Sequence, residues 1–108
     1  MTEARMDWGK MKIEISGHAG AGKKGQDIVC AAESMLVGAL IRSLEIAKNR
    51  GRTEFGYKEG PEGSGEITIW ANPWNNSVTE VKAYFKMAVN GMKMLAEQYP
   101  EYVKIREV

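Results

Sequence analysis

The chain carries one histidine and one cysteine in 108 residues, His18 and Cys30, and both fall in the stretch Gly17–Ala32, together with four of its twelve glycines. A thiol and an imidazole are the pair from which a nucleophile and its general base are made. Met11–Ser16, just before, places apolar residues at Met11, Ile13 and Ile15, the period of two expected of a strand with one buried face, so His18 stands at a strand end. Glycines 17, 20, 22 and 25 give the following segment access to positive φ, and Asp27 is a candidate N-cap for the apolar helix beyond it. On that reading Cys30 lies in the first helical turn, where unpaired N–H groups and the positive end of the helix dipole favour thiolate over thiol.

Other readings of the same residues stay open. A lone cysteine among Ile28, Val29, Ala31 and Ala32 is also what a small buried hydrophobe looks like, and a lone histidine is often structural. A glycine-rich segment between strand and helix can bring imidazole and thiol together, but spacing alone does not decide between these readings. Residues Gly17–Lys23 fit the first seven places of the phosphate-binding pattern GxxxxGK after a strand and before a helix. Lys24 stands where that pattern needs a hydroxyl for magnesium, the helix is expected to start later, at Asp27, and no second apolar strand ends in a metal-binding Asp. Nucleotide binding therefore ranks below thiol chemistry.

The residues Ser16–Ala19 (SGHA), Gly25, Asp27–Ala32 (DIVCAA) and Ser34, with Tyr99–Tyr102 (YPEY) and the apolar tail, resemble the ribosomal-processing cysteine proteases of the Prp family over nearly the whole chain. The resemblance implies a catalytic dyad of His18 and Cys30 and a homodimer. It also implies removal of a short N-terminal extension from ribosomal protein twenty-seven of the large subunit, with cleavage after an aromatic residue. Phage-encoded members process head-assembly proteins, and a noncatalytic assembly factor of the same fold is the rival of another class. The peptide substrate is accordingly a ribosomal protein precursor or a phage head protein, and no metal or other cofactor is implied.

Asp27 and Ser34 are supporting candidates. Asp27 could orient His18, although capping already explains it, and Ser34 one turn past Cys30 reads better as a packing or hydrogen-bonding residue than as a second nucleophile. Gly17, Gly20, Gly22 and Gly25 form a candidate substrate loop that orders over the peptide as a lid. Two departures from the family pattern are Glu33, where a small apolar residue is commoner, and two lysines in residues 20–24 in place of an aromatic. A carboxylate three residues after Cys30 would oppose thiolate formation if it lay close.

The elements that must position these groups follow from pattern. One domain spanning residues 1–108 buries roughly two thirds of its extended-chain surface. A formal charge of +1 with interspersed signs gives no footprint for nucleic acid. A single cysteine excludes an internal disulfide, and no signal-type segment or membrane span is visible, so a soluble cytoplasmic protein is expected. The pattern predicts a short strand around Ala4–Met6 turning through Asp7–Gly9 into Met11–Ser16, then a helix from Asp27 to about Asn49 closed by Gly51. Val29, Leu36, Leu40, Ser43 and Ala47 make its main face. Val37, Ile41 and Leu44 widen it enough to suggest cover on two sides, by another helix or another subunit.

A hairpin of Thr53–Glu59 and Glu66–Ala71 around the glycine-rich turn 60–65 comes next, with Trp70 and Trp74 read as core lid or subunit contact. Ser77–Glu80 is a capping-box pattern for a second helix whose inner face runs Val78, Val81, Phe85, Ala88, Met92, Leu95 and Tyr99. Met87, Met92 and Met94 read as core filling, and Pro100 stops the helix before a last edge strand. The fold class is α/β, a two-layer sandwich with a mostly antiparallel sheet and two principal helices.

Overall fold

The computed structural model describes the backbone of residues 1–18 and 24–108, and side chains at 1–18 and 28–108. Alternation in the first sixteen residues produces β1 (Thr2–Asp7) and β2 (Lys12–Ser16), an antiparallel pair in which Ala4 faces Ile15 and Met6 faces Ile13 across the register. The long helix α1 (Lys24–Asn49) ends where Gly51 takes φ +72°. There the Gly51 N–H donates to the Lys48 carbonyl and the Arg52 N–H to that of Ala47, so two last-turn carbonyls are satisfied. Strands β3 (Thr53–Glu59) and β4 (Ile67–Pro73) form the expected hairpin, followed by a short turn at Asn75–Ser77, helix α2 (Val78–Gln98) and β5 (Val103–Glu107).

The sheet order is β3-β4-β2-β1-β5, antiparallel throughout except that β5 runs parallel to β1. This is the two-layer α/β architecture with two helices and a mostly antiparallel sheet. Alternate residues Ala4, Met6, Ile13, Ile15, Ile69, Ala71 and Val103 form the buried face. Over them pack Val29, Leu40 and Leu44 of α1 and Val81, Phe85, Ala88, Val89 and Met92 of α2. The two helices approach closely at Gly91, where any β-carbon would run into the Leu36 side chain.

Several expectations are corrected. Helix α1 starts at Lys24, three residues before Asp27, because nothing in Lys24–Gln26 forbids helix: glycine there costs only about 1 kcal/mol relative to alanine. Gly25 is therefore helical, and Asp27 is the fourth helical residue and not the N-cap, a first-turn place where an acid also suits the dipole. Ser77 does sit at the N-cap of α2, but its side chain caps nothing. Glu80, the other half of the expected capping box, is held instead by Arg52 at 2.6 Å and by the Tyr84 hydroxyl at 2.8 Å. Trp70 and Trp74 are exposed on the single chain, so neither is a core lid; Trp70 lies across Gly56 of the neighbouring strand on the face of the sheet away from the helices.

Of the three methionines read as core, only Met92 is. Met87 is 72% and Met94 58% exposed, because a two-layer fold leaves the outer side of α2 uncovered. Ile28, Met35 and Ile46 are likewise exposed on α1.

This packing predicts that Phe85→Ala lowers the free energy of unfolding by about 3–5 kcal/mol, while Met87→Ala stays within about 0.5 kcal/mol of the parent. Urea titration checks both. Equal losses would mean that α2 presents a different face to the sheet.

Candidate active site

His18 follows β2 directly, and Gly17 sets its direction. Gly17 has φ +84°, and a β-carbon there would strike the Met1 carbonyl oxygen, so the turn out of β2 is open only to glycine. The His18 ring is exposed, and its Nε2 lies 2.6 Å from the carbonyl oxygen of Gly63 in the β3–β4 turn. That turn is pressed onto the end of β2. Gly65, at φ +69°, leaves no room for a β-carbon, which would come 2.5 Å from the Gly17 carbonyl oxygen and 2.9 Å from His18 Cε1.

Cys30 enters from the other layer. Its neighbour Val29 is fully buried against the sheet and anchors this end of α1, while Cys30 itself is half-buried. His18, Cys30, Glu33 and Ser34 line one open cleft of about 590 Å³ between α1 and the β3–β4 turn. Val37, Ile41, Tyr57 and Ile67 give it an apolar wall, and Glu59, Glu62 and Glu66 give it an acidic rim.

Cys30 is the seventh residue of α1, a full turn further in than expected. Its own N–H is committed within the helix, since only the first four N–H groups of a helix lack an internal partner. The dipole also weakens beyond the first turn, so the helix end contributes less at the sulfur than a first-turn position would. Ser34 is exposed on the cleft wall. Asp27 lies within α1, and its side chain is outside the described residues, as are Gly20, Gly22 and the lid they were expected to form. The start of α1 at Lys24 removes the objection to a phosphate loop that rested on helix position. The missing hydroxyl at residue 24 remains.

Glu33 lies close to the site, as its spacing from Cys30 allowed. One carboxylate oxygen, Oε2, accepts from the Thr2 hydroxyl at 3.0 Å. The other, Oε1, is buried without a hydrogen-bond partner among the described residues. Burial raises the pKa of this carboxyl above the ordinary glutamate value, opposed by the Thr2 hydrogen bond and by the positive charges of the N-terminal amine and His18. What the sequence did not reveal was the contact of the turn with His18. Its trace was the glycine content of residues 60–65, three of six, more than a hairpin turn alone requires.

A protein-family profile described as cysteine protease Prp matches residues 1–104. The fold is similar to the crystal structure of SMU.848 from Streptococcus mutans, with 25% identity, 99% of this chain and 95% of that chain covered, and a TM-score of 0.75. It is also similar to an essential ribosomal processing protease Prp from S. aureus in complex with a covalently linked product peptide, with 22% identity, full coverage of both chains and a TM-score of 0.76. The same protease in complex with a substrate peptide gives 19% identity, full coverage of both chains and a TM-score of 0.74. No curated protein matches the chain significantly.

The raised carboxyl at Glu33 has a consequence for stability. The folded state holds this proton more tightly than the unfolded state does. Glu33 therefore costs nothing below the unfolded value of about 4.3, and progressively destabilises the fold as pH rises from there through its folded value. Glu33→Gln retains an acceptor for Thr2 and removes the charge. Its stability relative to the parent should be greater at pH 7 than at pH 4 in denaturant titrations; a difference independent of pH would mean that Glu33 is solvated in both states.

Proposed function

The chain belongs to the cysteine protease Prp family, and on that premise we propose that His18 and Cys30 are its catalytic pair. We further propose that its substrate is the N-terminal extension of large-subunit ribosomal protein twenty-seven, cut in the cytoplasm after an aromatic residue. The observation that carries this reading is the single cleft that holds both side chains, one from the end of β2 and one from α1. Its apolar wall of Val37, Ile41, Tyr57 and Ile67 suits an aromatic side chain before the scissile bond, and its rim glutamates suit basic residues nearby. Among the described residues the outer side of β3 has no sheet partner, which suits an extended peptide held by backbone hydrogen bonds.

In this mechanism the Cys30 thiol gives its proton to His18, and the thiolate attacks the scissile carbonyl. Collapse of the tetrahedral adduct breaks the C–N bond as the imidazolium returns that proton to the leaving amine, and the peptide's acyl half remains on sulfur as a thioester. Water, deprotonated by His18, then hydrolyses the thioester and restores the thiol. A general base of this kind contributes roughly 10²–10⁴-fold to the rate. The charge of Glu33 beside the cleft stabilises an imidazolium and disfavours a thiolate, so its net effect depends on which of the two it faces more closely. Two copies pair in the same proposal, burying the exposed Ile28, Met35 and Ile46, and sedimentation should report twice the 12.0 kDa of one chain.

The test is cleavage of an extended peptide with Phe before the scissile bond and small or basic residues after it, followed by mass spectrometry. One cut after Phe is expected. Cys30→Ala and His18→Ala should each abolish it with the fold intact, and Phe→Ala in the peptide should lower kcat/KM by roughly ten- to a few hundred-fold through loss of a buried aromatic contact. Cleavage surviving either protein substitution would remove the dyad.

A further inference from the structure

A base that works through one ring nitrogen needs the other held, because the tautomer and the ring direction are both set there. His18 is held in this way, by a group that no side-chain pattern could have indicated. Its Nε2 is 2.6 Å from the Gly63 carbonyl oxygen. A carbonyl oxygen can only accept, so the Nε2 must carry a proton and donate it. The lone pair of the neutral ring is then on Nδ1.

The contact is built into the backbone on both sides. Gly17 turns the chain out of β2 at φ +84°, in a place where any side chain would meet the Met1 carbonyl. Gly63 and Gly65 take φ +81° and +69°, and Gly65 lets the turn close onto the Gly17 carbonyl and the His18 ring. The Gly60 N–H donates to the Glu66 carbonyl at 2.9 Å and the Ser64 N–H to that of Pro61, so the turn holds its own shape at the mouth of the cleft.

We propose that the Gly63 carbonyl is the positioning group of the catalytic pair, fixing the His18 proton on Nε2 and presenting Nδ1 as the base for the Cys30 thiol. This rests on the assignment of His18 as the base. In the first step Nδ1 takes the thiol proton while the Nε2–H bond to Gly63 persists, so the imidazolium forms with its second proton already accepted. In the second step the proton on Nδ1, and not that on Nε2, passes to the leaving amine. The β3–β4 turn, besides walling the cleft, then acts as the third member of the catalytic arrangement through its main chain alone.

Because the chain has one histidine, long-range ¹H–¹⁵N spectra of protein labelled at histidine report His18 without ambiguity. At a pH where the ring is neutral, a proton on Nε2 that exchanges slowly enough to be seen directly is expected. Gly65→Ala, or the bulkier Gly65→Val should alanine be accommodated, pushes the turn away from the ring. Loss of the Nε2 proton signal should then accompany a fall in kcat of roughly ten- to a hundred-fold, the scale of misplacing a catalytic group by about 1 Å, with KM changed less than threefold. A proton found on Nδ1, an Nε2 proton that exchanges as fast as that of a free imidazole, or a variant that loses the signal and keeps its kcat would each overturn the inference. The underlying assignment is tested separately by His18→Ala: if that variant still cleaves, His18 is not the base, whatever its tautomer.

Discussion

Everything at the site depends on one close approach of main chain to main chain, the β3–β4 turn lying on the end of β2. Backbones come this near only where no β-carbon intervenes, and Gly65 is such a place. The approach matters because the end of β2 is well anchored. Strand β2 sits in the interior of the sheet between β4 and β1, and Ile13 and Ile15 tie it to the core. The turn therefore meets a fixed object, and His18, one residue beyond the glycine that ends the strand, is held between them. Cys30 is placed independently, by the burial of Val29, Leu40 and Leu44 on α1. Two rigid elements from two layers thus supply one group each to a shared cleft.

The parts of this arrangement that were legible in the sequence are those written in periodicity. Ile13 and Ile15 showed the strand, Val81, Phe85, Ala88 and Met92 the inner face of α2, and Gly51 the end of α1. The parts that were not legible depend on competition among partners. Ser77 and Glu80 have the spacing of a capping box, but Arg52, twenty-eight residues earlier in the chain, takes the carboxylate. Asp27 has the character of an N-cap, but an acid is equally at home in a first helical turn, so residue type could not choose between them. Met87 and Met94 are apolar, and their exposure follows only from knowing that a single sheet face and one helix neighbour use up the buried sides of α2.

At the site, the sharing of one cleft by His18 and Cys30 was legible in their being single and close in sequence. The contact of His18 with Gly63 was not, because its acceptor is a main-chain carbonyl forty-five residues away. Glu33 is the opposite case: its oddness was plain in the sequence, and its half-buried carboxylate, with one oxygen unpartnered among the described residues, now shows a local cost. Costs of that kind, set beside a cleft, are what a protein retains when a neighbouring charge is useful and the rest of its core can offset the loss.

The central claim is that the Cys30 thiol is made reactive by His18 within the peptide-binding cleft. The most direct measurement is intact-protein mass after exposure to a short extended peptide ending in a phenylalanine chloromethyl ketone. The account predicts a single adduct, mapped to Cys30, that forms quickly in the parent and at a small fraction of that rate in His18→Ala. Labelling at the same rate without His18, or no labelling of the folded protein, would contradict it.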